Sequence, residues 1–394
     1  MYCISKEITG INKDLIFDND IKLINRERNE DDILICEKDN KSSISYYAKQ
    51  VDIDLSLEIP IKYNNMWKFL DHKPDWSHII GVERFVKMCV KLVKKTDKFV
   101  NNDDYSYYTG LSMSNTAFVN ETCSAKVDDK NLLTYLNGIE PFRAKKIIEV
   151  VNIKEKMFKK INYSLFNTTT GRMTVDSGLN ILNLDKKHRN IMKSSFIGGK
   201  ILEIDIKNLE PRILMGLTKD EVPNDIYMWI KDNILNDMQI SRSQIKVLIF
   251  KIIYGASMTT IKYDLKDVYN AEDIIYRVKT ALGYQKFALQ IRHSVDDNGF
   301  FRNHYGRLLK KSSADVNHFL QSTGVDVSLL CFKKVNDILT KANISYKVIG
   351  FIHDAMIIDV SEKSCKFVIK NLNEKNINVE GFKNGFPIVI TEVR

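Results

Sequence analysis

The chain has 394 residues, a net charge of +9 and a hydrophobic fraction of 44%. This composition predicts a soluble globular protein with a sizeable core, and it excludes disordered, collagen-like and disulfide-stapled chains. No apolar run reaches the length of about 18 residues that a membrane span needs, and the six scattered cysteines, without a C-x-x-C pair, indicate reduced thiols rather than zinc ligands or disulfides.

The N-terminal 76 residues are predicted to be rich in β-strand and contain no catalytic motif. Short strands are predicted over 14–17, 21–25, 32–36 and 43–61, separated by polar, turn-prone segments. Apolar residues at helical spacing then predict a helix over 77–100, and a stretch rich in Asn, Ser and Thr follows at 101–130.

Helical periodicity resumes over 130–136 and 143–161. The second of these segments is strongly basic, and Lys154, Lys156 and Lys159 are candidates for contacts with a DNA backbone. A run of charged residues usually forms only a solvent-exposed face. The density of basic residues here also suits a surface that binds along a phosphate backbone.

The charge along the chain points the same way. Residues 1–60 carry a net charge of −5 and residues 61–394 carry +14. A basic body is typical of proteins that bind nucleic acid. A composition rich in Lys, Asn and Ile would give the same balance, so charge alone leaves both interpretations open.

The first chemical signal lies in KILEIDIKNLEPRIL, residues 200–214. Leu202, Ile204 and Ile206 alternate with Glu203 and Asp205, the period-2 pattern of a strand with one buried face. Asp205 is therefore predicted to point to the open face. An acid at such a place is most often an ordinary solvated strand residue.

The second signal lies in YKVIGFIHDAMIIDV, residues 346–360. Two apolar, β-branched runs flank His353 and Asp354, which predicts a hairpin with a polar apex. An acid there is usually a turn residue. If Asp205 and Asp354 meet on one sheet face, however, they could hold two Mg²⁺ ions roughly 4 Å apart, as in-line phosphoryl transfer requires.

The third signal is a helix predicted over 241–257, with Ser241 as its N-cap. Its face carries four residues at successive i+4 steps: Arg242, Lys246, Phe250 and Tyr254. Cations near the N-terminal end and aromatics further along suit a triphosphate followed by a sugar and base. An amphipathic helix with ordinary core aromatics would show the same spacing.

In this order, the three segments resemble motifs A, B and C of DNA polymerase family A. Motif A, D-Y-S-Q-I-E-x-R, is matched at Asp205, Glu210 and Arg212. Motif B, R-x3-K-x3-F/Y-x3-Y-G, is matched at Arg242, Lys246, Phe250, Tyr254 and Gly255. Motif C, H-D-E, is matched at His353 and Asp354.

Two further segments carry the resemblance. Thr170-Gly171-Arg172 with Asn180 to Asn183 resembles the family's T-G-R…N-L-Q-N segment, and Asn317-x3-Gln321-x-Thr323 resembles its N-x3-Q-G-T segment. The basic helix predicted at 143–160 is similar to the family's thumb helix, and six such matches in the right order are far more specific than one. The resemblance covers about residues 130–394.

The chain also departs from the family pattern. Ala355 stands where motif C has its Glu, Lys207 and Asn208 replace Ser-Gln in motif A, and Tyr227 stands where the family often has a His that contacts the triphosphate. The proofreading exonuclease domain is expected to be missing, because Asp52-Ile-Asp54 is a poor match to its D-x-E signature.

The fold implied by the resemblance is an α+β right-hand polymerase with an antiparallel palm sheet and largely helical fingers and thumb. The implied divisions are a β-rich region of unknown role at 1–76, a thumb at 77–170, a palm at 171–215 and 312–394, and fingers at 216–311. The implied activity is template-directed transfer of dNMP from dNTP to a primer 3′-hydroxyl.

The resemblance also implies residue roles. Asp205 and Asp354 would hold two Mg²⁺ ions, for which Mn²⁺ can substitute, and Lys246 would complete the catalytic set. The implied dNTP-binding residues are Arg242, Lys246, Phe250, Tyr254 and Glu210. The implied DNA-binding residues are Arg172, Gln321, Asn317, His353, Lys154, Lys156 and Lys159.

Two alternatives remain from the residues alone. A single-subunit, phage-type RNA polymerase shares both aspartates, the Lys, the Tyr-Gly and the His-Asp, but is longer and carries Gly where this chain has Glu210. A decayed nucleic-acid-binding relative is supported only by Ala355. The expected partners are primer-template and dNTPs, with no membrane, for a monomer in the cytoplasm of a bacterial or phage-infected cell.

Overall fold

The computed structural model describes residues 1–29, 32–36, 44–50, 53–64, 74–101, 103–236, 240–264, 270–313 and 315–393. They form two compact units, Met1–Gly110 and Leu111–Arg394. The predicted thumb, 77–170, has residues in both units. Among the residues described, no helix is long and apolar enough to cross a membrane.

The N-terminal unit combines one small sheet with several helices. Its strands are β1 (Tyr2–Ile4), β2 (Leu15–Phe17), β3 (Leu23–Ile24) and β4 (Ile33–Ile35). The sheet order is β3-β2-β1-β4, with β4 parallel to β1 and the other pairs antiparallel. Its helices are α1 (Lys6–Thr9), α2 (Ile44–Gln50), α3 (Ile61–Asn64), α4 (Trp76–Ile80), α5 (Val82–Val100) and α6 (Asp103–Tyr107).

The strand predicted over 43–61 is wrong within the described residues, because 44–50 form α2. Ile44, Tyr47 and Ala48 are buried at i, i+3 and i+4, which is a helical period rather than a strand period. The helix predicted over 77–100 is confirmed with one interruption: Gly81, at a φ of 84°, separates α4 from α5.

The C-terminal unit contains eleven of the helices described. They are α7 (Met113–Val119), α8 (Asp129–Asn137), α9 (Pro141–Glu149), α10 (Leu209–Thr218), α11 (Ile226–Trp229), α12 (Arg242–Ile253), α13 (Met258–Asp264), α14 (Ala271–Leu282), α15 (Tyr284–His293), α16 (Asp315–Lys341) and α17 (Glu362–Leu372). The long helix α16 packs against α7, α10 and α15. Gly324 permits the close approach to α10, since a Cβ there would lie 3.3 Å from Leu209 Cδ2.

Thirteen strands are described in this unit. They are β5 (Lys126–Val127), β6 (Val151–Asn152), β7 (Met157–Phe158), β8 (Asn162–Ser164), β9 (Thr174–Ser177), β10 (Met192–Lys193), β11 (Lys200–Ile206), β12 (Phe300–Arg302), β13 (Leu308–Lys310), β14 (Tyr346–Ile352), β15 (Ala355–Val360), β16 (Asn376–Ile377) and β17 (Phe386–Glu392).

The central sheet has the order β14-β15-β11-β17-β16, and every pairing in it is antiparallel. The strand predicted within 200–214 and the hairpin predicted at 346–360 are both confirmed, as β11 and as β14 with β15. The smaller sheets are β10-β5-β7-β6, β12-β13 and β8-β9. This mixture of helices and an antiparallel central sheet confirms the predicted α+β class.

The basic helix predicted over 143–161 is wrong beyond its first half. Helix α9 ends at Glu149, and the chain then forms the hairpin of β6 and β7. Val150, Val151 and Ile153 are β-branched and favour strand over helix. Lys156 adopts a positive φ of 53° and Asn152 Oδ1 accepts a hydrogen bond from Glu155 N, which closes the turn. Lys154, Lys156 and Lys159 therefore do not share a helix face.

Candidate active site

Strand pairing brings the two candidate carboxylates to the same edge of the central sheet. Asp205 on β11 lies directly opposite Ala355 on β15, and Ile206 N donates to the Asp354 carbonyl at 3.2 Å. His353 and Asp354 form the tip of the β14–β15 hairpin, with Ile352 paired to Ala355. His353 adopts a positive φ of 52°, a conformation that a non-glycine residue takes seldom and mainly in turns.

The face of β11 that carries Asp205 is less open than the alternation predicted. Glu203, two residues earlier on the same face, is only 6% exposed. Its carboxylate binds Arg189 Nη1 and also Lys186 Nζ at 3.1 Å. The face predicted to be open is thus covered at Glu203, by cations from the 3₁₀ segment Lys186–Ile191, whereas Asp205 stays partly exposed.

Helix α12 begins as predicted at an N-cap formed by Ser241. The Ser241 side chain and Gln244 form a capping box, which satisfies backbone N–H groups of the first turn. Arg242, Lys246 and Phe250 follow on one face, and Tyr254 is the C-cap rather than a helical residue. Lys246 Nζ lies 5.9 Å from the Phe250 ring centroid.

A cavity of about 450 Å³ joins these elements. Ten of the fourteen predicted site residues line it: Asp205, Asp354, Lys246, Arg242, Phe250, Tyr254, Glu210, Arg172, Gln321 and His353. Asn317 does not line it, but its Oδ1 accepts a hydrogen bond from Gln321 Nε2 at 2.6 Å. Of the three predicted lysines, Lys159 lines a second groove of about 980 Å³ together with Arg143 and Lys146.

Glu210 connects three elements of the cavity. It lies in the first turn of α10 and is 8% exposed. Its Oε1 accepts from Arg172 Nη2 at 3.3 Å and from Tyr254 Oη at 3.4 Å. Oε2 is buried without a hydrogen-bond partner among the described atoms. Burial raises the pKa of this carboxyl, against the opposing effect of Arg172.

The two aspartates lie in an environment that disfavours their charged forms. Burial, followed by the negative charge of Asp354, raises the pKa of Asp205 to about 7. Burial also raises the pKa of Asp354. Two half-buried carboxylates in such an environment would be stabilised by a bound cation.

The donor set fits a hard divalent metal ion. Carboxylate oxygens are the ligands that Mg²⁺ prefers, and Mg²⁺ usually keeps several waters and substrate phosphates beside one or two carboxylates. Within the described ranges, no group of three or more His, Cys, Asp or Glu could hold a metal. A site of two carboxylates completed by water and phosphate is therefore the arrangement that these residues support.

Three further residues lie beside the cavity: Tyr227 and Asn208, which the sequence showed only as departures from the family pattern, and Asp225, which was given no role. Tyr227 lines it, with its ring 5.1 Å from Arg242 Cζ, and Asn208 Oδ1 accepts from Ile226 N at 3.2 Å. Asp225 binds the Arg242 guanidinium. Two signals could have found them: Asn208 stands at a strand-to-helix turn and has a φ of 55°, and Asp225 is a helix N-cap.

Comparisons with known proteins agree with this geometry. The sequence matches DNA polymerase family A over residues 130–389. The fold is similar to a solved structure described as the POL domain of Pol1 from M. smegmatis in complex with DNA primer-template and dNTP. The TM-score is 0.62 at 12% sequence identity, covering 89% of this chain and 81% of that one. The likeness shows the right-hand polymerase fold.

Proposed function

The chain belongs to DNA polymerase family A, as a DNA-directed DNA polymerase, and we propose that it adds dNMP from dNTP to a primer 3′-hydroxyl by a two-metal mechanism. The observation that carries the proposal is the single cavity in which Asp205, Asp354, Arg242 and Lys246 meet. Two Mg²⁺ ions bound there would activate the attacking hydroxyl and stabilise the leaving pyrophosphate.

The residues of the chain have separable roles in this proposal. Asp205 and Asp354 provide the anionic ligands. Arg242 and Lys246 neutralise the triphosphate, and Lys246 would donate a proton to the pyrophosphate as it leaves. Phe250 packs on the sugar, with Glu210 beside it, and Tyr254 lies next to the templating base.

The DNA-binding residues complete the proposal. Arg172 and Gln321 read minor-groove acceptors at the primer terminus, and His353 contacts the primer end. Asn317 acts through its hydrogen bond to Gln321. Lys154, Lys156 and Lys159 contact the duplex backbone from the β6–β7 hairpin and its exit rather than from a helix.

We propose the same division of the chain into palm, fingers and thumb that the resemblance to the family implies. The central antiparallel sheet belongs to the palm at 171–215 and 312–394, helices α11 to α15 to the fingers at 216–311, and residues 77–170 to the thumb. Residues 1–76 have no assigned role. We further propose a monomer that does not proofread, from a phage or other mobile element. Asp52 of the poor exonuclease match lies outside the described residues.

Membership of the family favours DNA synthesis over the RNA-polymerase alternative. The alternative of a decayed nucleic-acid-binding relative is tested by measuring primer extension. Wild-type protein should extend a primed DNA template with Mg²⁺ and dNTPs, and rNTPs should serve poorly. Asp205→Ala and Asp354→Ala should each remove extension, because either change leaves the metal pair short of an anionic ligand.

A matched control is Asp220→Ala, whose side chain is 95% exposed and pairs with Lys383. This variant should extend primers at the wild-type rate. Retention of more than about a tenth of the rate in either active-site variant would contradict the two-metal assignment. Absence of extension by the wild-type protein with both Mg²⁺ and Mn²⁺ would favour the decayed relative.

A further inference from the structure

The loop that precedes α11 is hydrogen-bonded to residues that follow β11, the strand that carries Asp205. Arg212, 2% exposed, donates from Nη2 to the carbonyls of Pro223 at 2.6 Å and Asn224 at 2.9 Å. On the other side, Asn208 Oδ1 accepts from Ile226 N at 3.2 Å. The backbone is therefore held immediately before and after Asp225 by residues that follow Asp205 in the chain.

The Asp225 carboxylate uses its two oxygens for two tasks. Oδ1 accepts from the backbone N–H groups of Tyr227 and Met228, each at 3.1 Å, and so caps α11. Oδ2 accepts from Arg242 Nη2 at 2.9 Å and from Nε at 3.2 Å. Burial opposes the charge, but the hydrogen bonds from Met228 N and Arg242 outweigh it and lower the pKa of Asp225.

Two neighbouring side chains, Asp225 and Tyr227, therefore contact the guanidinium of Arg242. Asp225 binds the edge formed by Nε and Nη2, and Arg242 Cζ lies over the Tyr227 ring, 5.1 Å from the ring centroid. The third nitrogen, Nη1, lies in the same plane but not on the edge that Asp225 binds. Because Arg242 also lines the cavity, this orientation decides which donors face a bound triphosphate.

We propose that Asp225 is a positioning residue for nucleotide binding: it fixes the Arg242 guanidinium so that its remaining donors meet the triphosphate. The inference rests on the proposed function, in which Arg242 binds the nucleotide. It predicts that removing the charge of Asp225 weakens nucleotide binding, whereas simple charge repulsion predicts tighter binding. A carboxylate near a triphosphate repels it, so removing the charge should tighten binding unless the carboxylate acts through Arg242.

The experiment is a double-mutant cycle with a binding readout. The dissociation constant of dATP is measured on a dideoxy-terminated primer paired to a template with the next base dT, for wild type, Asp225→Asn, Arg242→Ala and the double variant. We expect Asp225→Asn to weaken binding about 10-fold, which corresponds to about 1.4 kcal/mol. The double variant should bind no more weakly than Arg242→Ala alone, because a residue that acts through another has no effect in its absence.

Asn retains the helix-capping ability of Asp, so α11 should persist in the Asp225→Asn variant. Asp225→Ser, which also caps, is the second variant if the first melts below the assay temperature. The control is Glu272→Gln, which breaks the exposed ion pair between Glu272 on α14 and Lys262 on α13 and should leave the dissociation constant unchanged.

Each other outcome overturns the inference. Tighter binding by Asp225→Asn would show that the carboxylate only repels the triphosphate. Equal weakening in the presence and absence of Arg242 would show that Asp225 only caps the helix. No effect of Arg242→Ala would remove Arg242 as a nucleotide ligand. The cycle needs no catalysis, so a wild-type protein that binds dATP but does not extend primers would contradict the proposed function alone.

Discussion

Replacing Asp205 with Asn should stop primer extension and, at pH 8 without metal, make the protein harder to unfold. The pKa of Asp205 is raised to about 7 by burial and by Asp354, whereas in the unfolded chain it lies at its ordinary value of 3.8. The folded protein therefore holds a proton that unfolding releases between these two values. As pH rises through this window, the folded state loses stability, and above pH 7 the whole cost of the buried charge is present.

The size of the effect follows from the two pKa values. A shift of one unit is worth about 1.4 kcal/mol, so the ionised Asp205 costs at most about 4 kcal/mol at pH 8 and about 2 kcal/mol at pH 5. Asp205 is partly exposed, and solvent screening reduces both figures by about half. Asn has nearly the same shape without the charge, so we expect its variant to gain about 2 kcal/mol at pH 8, or about 2 °C in Tm.

The assay is thermal unfolding in EDTA at pH 5 and pH 8. Asp205→Asn should melt above wild type at pH 8, and the gap should shrink at pH 5. Mg²⁺ should raise the Tm of wild type but not of the variant, because only the wild type retains both carboxylates. The matched control is Asp359→Asn on β15, which should lower the Tm, since Asp359 accepts from Ser194 Oγ at 2.5 Å and from Ser195 N at 2.7 Å. An Asp205→Asn variant that melts at or below wild type at pH 8 would refute the reasoning.

Three further predictions concern substrate choice and DNA binding. Glu210→Ala should raise rNTP incorporation relative to dNTP by about 30-fold or more in competition assays, because the carboxylate no longer fills the space of a 2′-hydroxyl. Equal use of rNTP and dNTP by the wild-type protein would contradict a role of Glu210 in excluding rNTPs. Phe250→Tyr should improve the use of dideoxynucleotides, measured against dNTPs, because Phe250 has no hydroxyl to replace a missing 3′-hydroxyl; unchanged use would exclude that role. Replacing Lys154, Lys156 and Lys159 together by Glu should weaken primer-template binding at all sequences and reduce the salt slope by about 2 to 3. Lys156 should contribute least, since it pairs with Asp129 at 2.8 Å, and an unchanged slope would show that these lysines are only solvated.

The parts of the site that could be predicted from sequence are those encoded by local patterns. The alternation of Leu202, Ile204 and Ile206 indicated β11, and the paired apolar runs around His353 indicated a hairpin. The i+4 spacing from Arg242 to Tyr254 placed four side chains on one side of the cavity. Each pattern is short range, so it survives whatever the rest of the chain does.

The parts that could not be predicted depend on contacts between distant segments. Nothing near Glu203 in the sequence shows that Arg189 covers it, and nothing near Asp225 shows that its carboxylate meets Arg242 seventeen residues later. The basic segment after Glu149 was misassigned for a different reason. Its lysines are typical of a helix surface, and the helix prediction relied on them. The β-branched residues among the lysines favour the β6–β7 hairpin instead.

Ala355 gains a physical meaning from the strand register. It lies directly opposite Asp205 and is 4% exposed, at the position where the family usually has a third acid. A carboxyl there would add charge to a site in which burial already raises the pKa of both aspartates, and in which the charge of Asp354 raises that of Asp205 further. The other acid on this face, Glu203, is paired with Arg189 and Lys186. Glu210 also lines the cavity, but its carboxylate accepts hydrogen bonds from Arg172 and Tyr254. We therefore expect metal binding near neutral pH to release protons and to depend on Asp205 and Asp354 together.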